Sequence, residues 1–339
     1  MTVRMVDVAR EAGVSAMTVS NVINGRPGVG AETRMRVLAT VSRLGYQVNL
    51  AARHLRSGQT GAVALIVPDI DRPYYGQLAA RIGRTLERHG RHLVIERTGG
   101  DAERELESIA FGRLQMYDGV IISPLHLETE DLSQLRFDKP VVFIGERPVP
   151  STFDHVMMDN IGGAQRAVEY LLSTGSTRVA IIGGRHDHSV ADMPSLRTRG
   201  YRQAHEDTQV PVDERLVVQI ESFDPRSGYE AVNQLYESGA EFDGLFVLTD
   251  AAATGVLRAL ADRGITVPDD VQVIGFDNGR EADFLVPRLS SVEPGNDWMA
   301  DRALQLLEQR MATQGDESEA PAPATSVVTA ELVLRESTR

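Results

Sequence analysis

The chain has no cysteine, which excludes disulfide scaffolds, thiolate zinc sites, iron–sulfur clusters and cysteine nucleophiles. It has one lysine, Lys139, placed ahead of a proline, so a nucleotide loop of the Walker type has no lysine to use. Gly99-Gly100-Asp101 and Gly183-Gly184-Arg185 follow apolar runs, but neither extends to GxGxxG. There is no GxSxG, and no nucleophile is paired with a base at a readable spacing. A non-enzyme without catalytic residues or cofactor is expected. His186-Asp187-His188 has metal-like spacing but no third distant ligand, so it reads as a polar loop and no metal is expected. No apolar run approaches the ~18–20 residues that span a bilayer. The first residues, Met1-Thr2-Val3-Arg4-Met5-Val6-Asp7, lack the apolar segment of a secretory signal. The expected compartment is therefore the cytoplasm, on the nucleoid if the chain binds DNA, with no membrane partner.

At about 150 residues per domain, 339 residues make two or three domains. With 42% hydrophobic and 24% charged residues they can bury a large core. The net charge of −13 hides a division along the chain. Residues 1–57 carry Arg4, Arg10, Arg26, Arg34, Arg36, Arg43, Arg53 and Arg56 against Asp7, Glu11 and Glu32, a net of +5 that leaves −18 for the rest. A small basic head on a large acidic body fits a nucleic-acid contact confined to one end; on charge alone, chance clustering on a solvated face fits as well.

In the head, Met5, Val8, Ala9 and Ala12 fall at i, i+3, i+4 and i+7, one face of a helix that Gly13 would end. Ser15 offers an N-cap to a second helix with Val19, Val22 and Ile23 inward. Asn24-Gly25-Arg26-Pro27-Gly28 breaks the chain, and a third helix from about Ala31 turns Val37, Val41 and Leu44 inward before Gly45. Two short helices around a Gly-containing turn, braced by a third, describe a helix-turn-helix. The outward face of the second helix carries Ala16, Met17, Ser20 and Asn21. Ser15 and Thr18 can bond phosphate, Asn21 a base edge or a phosphate, and Ala16 and Met17 a thymine methyl. Periodicity alone leaves open that this is the polar face of any three-helix bundle.

The residues themselves go further. Asp7-Val8-Ala9-Arg10-Glu11-Ala12-Gly13-Val14-Ser15-Ala16-Met17-Thr18-Val19-Ser20-Asn21-Val22-Ile23-Asn24-Gly25 closely resembles the helix-turn-helix of the LacI/GalR (lactose-repressor) family of bacterial transcription regulators. The resemblance continues through Thr33-Arg34 and Leu44-Gly45-Tyr46 to Asn49-Leu50-Ala51-Ala52-Arg53-His54-Leu55. Arg4 stands where the family has a capping Thr, Gly30 where it has Ser, Val48 where it has Pro, and Asn21 where Arg is commoner. Losing that arginine removes a bidentate grip on guanine, so a different operator base is expected there. Residues 46–57 are too short for a stable isolated helix and would order on docking. The resemblance implies a hinge helix, with Asn49 and Ala52 at the DNA and Leu55 wedged into the minor groove.

From residue 61 onward, apolar runs alternate with helical spacing. The strand-like runs are Ala62–Val67, Leu93–Glu96, Gly119–Ile122, Val141–Ile144, Val156–Met158, Val179–Ile182, Leu216–Ile220, Gly244–Leu248 and Val271–Phe276. That is an α/β body of two doubly wound parallel sheets with a ligand cleft at their strand ends. Asp159-Asn160, Arg178 to Gly184, Pro268-Asp269-Asp270-Val271, Gly275-Phe276-Asp277 and Glu331 to Thr338 extend the resemblance to the family's two-lobed fold, shared with periplasmic binding proteins. It implies that Arg197 and Asp277 hold effector polar groups, that Tyr74, Tyr75 and Phe223 form aromatic walls, and that Thr249 and Asp250 line the site. Thr249 replaces the family's frequent Asn, against a lactose-like ligand.

The organisation read here is an all-α head at 1–45, a hinge and linker at 46–60, and a body at 61–339. Its first lobe would be about 61–160 plus 293–325, and its second about 161–292 plus 326–339. Residues 313–325 read as an exposed loop, and a tetramer-forming heptad tail is not expected. The expected function is a homodimeric regulator on palindromic double-stranded DNA, a repressor released by a small carbohydrate or nucleoside. A co-repressor response uses the same parts. A ligand carrier without a DNA role predicts a signal segment and no basic head. An enzyme acting on sugars needs a catalytic pair that the sequence does not show.

Overall fold

Three helices form where the head's apolar residues repeat at helical spacing: α1 (Met5–Ala12), α2 (Ala16–Ile23) and α3 (Ala31–Leu44). Val8, Ala9 and Ala12 of α1 bury against Val19 and Val22 of α2 and Val37 of α3. Gly13 ends α1 at φ +66°, a left-handed conformation in which a Cβ would be strained. Ser15 Oγ then accepts the Thr18 N–H at 3.1 Å, capping α2. Two arginines of the basic head turn inward as staples. Arg36 Nε donates to the Ala12 carbonyl at 3.1 Å, and Arg34 donates to the carbonyls of Val22 and Arg26 at 3.3 and 2.9 Å. The computed structural model describes residues 3–23, 25–46, 59–134, 137–187, 190–314 and 320–339. It separates into two units, Met1–Thr60 and Gly61–Arg339.

The second unit holds two six-stranded sheets. The first comprises β1 (Ala62–Val67), β2 (His92–Arg97), β3 (Gly119–Ile122), β4 (Val141–Ile144), β5 (Asp154–Met158) and β11 (Thr325–Val328), in the order β11-β5-β4-β3-β1-β2. The second comprises β6 (Val179–Ile182), β7 (Val217–Val218), β8 (Gly244–Val247), β9 (Gln272–Phe276), β10 (Ser290–Glu293) and β12 (Glu331–Val333), in the order β12-β10-β9-β8-β6-β7. All pairings are parallel except β10 with β12. β3, β4, β6 and β8 are buried along their whole length, as expected of strands covered on both faces. The helices that matter for the cleft are α4 (Pro73–Arg88), α8 (Asn160–Ser173), α9 (Met193–Asp207), α10 (Pro225–Glu237), α11 (Asp250–Asp262) and α12 (Asn296–Ala312). Between β2 and β5 lie the short α5 (Ala102–Ser108), α6 (Phe111–Leu114) and α7 (Thr129–Gln134).

Two elements differ from the pattern in the sequence. β7 is only Val217–Val218, because Leu216 closes a 3-10 turn that starts at Glu214. β10 has no apolar run, yet Ser290 and Ser291 are fully buried. The Ser290 N–H donates to Ser337 Oγ at 2.8 Å, and the hydroxyls of Ser290 and Thr338 are 2.8 Å apart, so the C-terminal segment satisfies this polar strand.

The chain passes between the sheets after β5, after β10 and between β11 and β12. Thr325–Val328 pairs with β5 throughout, so the last passage follows Val328, later than the boundary at 325 that the sequence suggested. Among the described residues, no helix is long and apolar enough to cross a membrane.

Helix α9 lies against α8 at Gly200, where a Cβ would come within 2.2 Å of the Ile161 carbonyl oxygen. Gly→Ala inside a helix ordinarily stabilises. Here Gly200→Ala should instead lower the stability to urea by about 1–3 kcal/mol, the usual cost of overpacking. An unchanged or raised midpoint would mean that the helices separate freely.

Candidate DNA-binding face and ligand cleft

On α2, Met17 is 69% exposed, while Ala16, Thr18, Ser20 and Asn21 are half-buried; Ser15, just before the helix, is exposed. The hydroxyls of Ser15 and Thr18 are 2.9 Å apart. One hydroxyl proton is used between them, which leaves the other for an outside acceptor such as a phosphate oxygen. Asn49, Ala52 and Leu55 lie outside the described residues. Arg43 pairs with Glu11 at 2.9 Å and Arg10 with Asp7 at 3.3 Å. With Arg34 and Arg36 also engaged, much of the head's positive charge supports its own fold.

The second unit contains a cleft of about 730 Å³ at the carboxyl ends of both sheets. Tyr74, Tyr75, Arg197, Phe223, Thr249, Asp250 and Asp277 all line it. Arg197 projects from α9 and is 2% exposed. Its Nε donates to Asn160 Oδ1 at 2.8 Å, Nη1 to the Leu248 carbonyl, and Nη2 to Met158 Sδ at 3.4 Å. Its guanidinium carbon lies 3.4 Å from the Phe276 ring centroid, and Asp277 is 3.7 Å from Nη2. Burial lowers the Arg197 pKa, while Asp277 and Glu146 oppose that shift.

Asp277 follows β9 with φ +112°, and Asn278 has φ +47°. Non-glycine residues rarely hold such angles unless the surroundings fix them. Here they do. The Asp277 N–H donates to the Val292 carbonyl at 2.9 Å, and Asn296 Nδ2 donates to the Asp277 carbonyl at 3.1 Å. Asn278 is held by Ser291, Glu293 and Arg335. Burial pushes the Asp277 carboxyl up to about 7, against the pull of Arg197.

The other expected residues divide. Tyr74 and Tyr75 pack edge to face with centroids 4.9 Å apart, and the Tyr75 hydroxyl lies 3.3 Å from that of Ser123. Burial raises the pKa of both phenols, so they stay neutral donors. Thr249 is occupied as the cap of α11, accepting the Ala252 N–H at 3.2 Å and donating to the Phe223 carbonyl at 3.3 Å. Asp250 accepts from Ser291 Oγ at 2.6 Å and the Gly279 N–H at 2.7 Å, so its carboxylate builds the 277–279 loop. Burial, and then Asp277, raise its pKa.

The sequence did not single out Arg72, Glu146, Arg185, Asp192 or Asn296, which also line the cleft. Asn296 Oδ1 is a buried atom without a hydrogen-bond partner. Glu146 follows β4, and its pKa is raised by burial. A polar residue just past an apolar strand is the one signal that could have found it. Glu105, fully buried on α5, accepts the N–H groups of Leu125, His126 and Leu127 at 2.9 to 3.1 Å and so sets a further cleft loop. His186 faces Glu214 at 3.1 Å, and His188 lies outside the described residues. Among the described residues, no cluster of three or more His, Cys, Asp or Glu could hold a metal.

The raised Asp277 pKa has a stability consequence. With a folded value near 7 against an unfolded one near 3.8, the native state binds the extra proton between those pH values. Stability from this group is therefore gained as pH falls from 8 to 5 and lost as pH rises through 7. Relative to Asp277→Asn, the wild type should gain about 1–3 kcal/mol over that range in chemical denaturation. A pH-independent difference would mean that Asp277 stays ionised with Arg197.

Residues 4–49 match the bacterial regulatory proteins of the lacI family, and residues 168–338 match the periplasmic binding protein-like domain. The HTH-type transcriptional regulator DegA of Bacillus subtilis (strain 168) is 33% identical over all of this chain and 98% of its own. The solved complex of the transcriptional regulator CelR with cellobiose is 31% identical, covers 99% of both chains and superposes with a TM-score of 0.70. The Lac repressor dimer bound to operator, 23% identical over 100% of this chain and 99% of that one, shares the fold with a TM-score of 0.81. With the helix-turn-helix at one end and a two-lobed ligand cleft in the rest, the chain belongs to the LacI family of DNA-binding transcriptional regulators.

Proposed function

We propose that the protein is a homodimeric cytoplasmic repressor, without enzymatic activity, that binds a palindromic operator through α2 of each copy. A carbohydrate or nucleoside in the cleft releases it. The observation that carries this reading is the pairing, in one chain, of the solvent-accessible α2 face around Met17 with a cleft where buried Arg197 and half-buried Asp277 can orient hydroxyl-bearing ligands. The relatives add to it: CelR is solved with cellobiose, and the Lac repressor is solved as a dimer on operator. Phe284 and Val286 of the second lobe, 85% and 92% exposed, are apolar side chains that suit contact with a second copy. Ligand shifts the balance between two lobe arrangements by binding one of them more tightly, typically by ~1–3 kcal/mol of coupling. The hinge at residues 46–60 carries that shift to the DNA, with Leu55 as the minor-groove wedge.

Selection of bound sites from a random DNA pool at near-physiological salt should enrich a palindrome of roughly 14–20 bp with a deformable central step. Failure to enrich any sequence, both without ligand and with a panel of sugars and nucleosides, would contradict the proposal. On the selected site, Leu55→Ala should weaken operator binding at least about tenfold while leaving ligand affinity near that of the wild type. Unchanged operator affinity would remove Leu55 from the interface.

A further inference from the structure

We infer that Glu105, which lies outside the cleft lining, is a positioning residue for ligand: it fixes the part of the cleft wall formed by Leu125 and His126. This rests on the cleft being the effector site, as proposed above.

Helix α5, which carries Glu105, is seven residues long, too short to persist by itself in water. It also lacks an apolar seam. Its buried residues are Glu105 and Ser108, and Leu106, its one large apolar side chain, is 38% exposed. Ser108 Oγ donates to the Glu105 carbonyl at 2.6 Å, and Asp101 caps the first turn through the Arg104 N–H at 3.0 Å, so both act within the helix. Among the described residues, the side-chain hydrogen bonds that tie α5 to the rest of its lobe are those of Glu105.

Those bonds go to the loop after β3. Oε1 accepts the Leu125 N–H at 2.9 Å, and Oε2 accepts the His126 and Leu127 N–H groups at 2.9 and 3.1 Å. Successive backbone amides turned to one point form a concavity that holds an anion, and the anion here is a side chain fully withdrawn from solvent. No other acceptor takes these three amides among the described residues. The direction of the loop therefore depends on where the carboxylate sits, and hydrogen bonds to a carboxylate are stronger than neutral ones.

The turn held in this way divides core from cleft. Leu127 is buried in the cluster of Ile109, Leu114 and Ile122, while Leu125 and His126 line the cleft. Two residues before Leu125, the buried Ser123 hydroxyl lies 3.3 Å from that of Tyr75, another cleft residue. Leu125 also lies against the turn that leads into α5, where a Cβ on Gly100 would be 3.6 Å from Leu125 Cδ1. Glu105 stands behind this wall, so its effect on ligand passes through the loop.

Glu105→Gln keeps the size and shape of the side chain but turns one of its two oxygens into an N–H donor, which then faces an amide N–H. In the full chain, hydrogen exchange of this variant should be at least about 100-fold faster at Leu125, His126 and Leu127, with the protection of β3 and β4 retained. For ligand, glucose, xylose, cellobiose, lactose, maltose, adenosine and guanosine are titrated by calorimetry, and the tightest binder is followed through the variants. Glu105→Gln should weaken that probe at least about tenfold, because the wall is no longer set before the ligand arrives. In the Leu125→Ala/His126→Ala background the same substitution should change affinity by less than about twofold, since the side chains it positions are gone.

An unchanged affinity in Glu105→Gln, an equal loss in the truncated background, or loss of protection throughout the unit would overturn the assignment. Phe223→Leu separates this from failure of the cleft reading. If Phe223→Leu weakens the probe and Glu105→Gln does not, the cleft remains the effector site and only the role of Glu105 falls. A probe that neither variant moves, or a panel of which nothing binds, would overturn both.

Discussion

A guanidinium enclosed almost completely by protein is the constraint around which the ligand-binding unit is arranged. Taking Arg197 out of water costs several kcal/mol unless every side of the group is answered. The answers come from Asn160 and Met158 at the first passage between the sheets, from the end of β8 at Leu248, and from Phe276 and Asp277 at the end of β9. Arg197 is thereby fixed to the backbone where the chain passes between the two sheets and to the ends of β8 and β9. Removing it would leave Asp277 buried without its counter-charge, so the pair is as much a condition of the fold as an element of the site.

Asp277 repeats this logic at the second passage. Its carbonyl is held by Asn296, the first residue of α12, and Glu293 at the end of β10 binds both the Asn278 side chain and the N–H groups of Gly295 and Asn296. Helix α12 packs on β3, β4 and β5 of the first sheet. A strained loop that lines the cleft in one lobe is thus hydrogen-bonded to a helix seated on the other. A displacement of the loop would therefore be passed to that helix, the kind of link by which small shifts are amplified where a packed interface has two arrangements.

Much of the architecture could be read from the sequence because its signals are local. Val8, Ala9 and Ala12 repeat at helical spacing, and Gly119–Ile122 is an apolar run that became a strand over those same residues. β10 escaped that reading because its serines are satisfied by Ser337 and Thr338, nearly fifty residues away, and no local pattern encodes such a partner. The cleft was half legible. Arg197, Asp277 and the aromatic residues could be placed through family resemblance. The internal commitments of Thr249 and Asp250, and the unpartnered oxygen of Asn296, emerge only once the chain is folded. The charge count of the head likewise could not show that Arg34 and Arg36 also brace its fold by donating to backbone carbonyls.

The most direct test of coupling between cleft and operator is reciprocity. Effector affinity, measured by titration for the free protein and again for the protein saturated with operator, must differ by the same factor by which effector changes operator affinity. For a repressor released by ligand, the operator-bound form should bind effector about 5–150-fold more weakly. Equal effector affinity in the two forms would show that the cleft and the DNA-binding head do not communicate, and would contradict the regulatory reading of the structure.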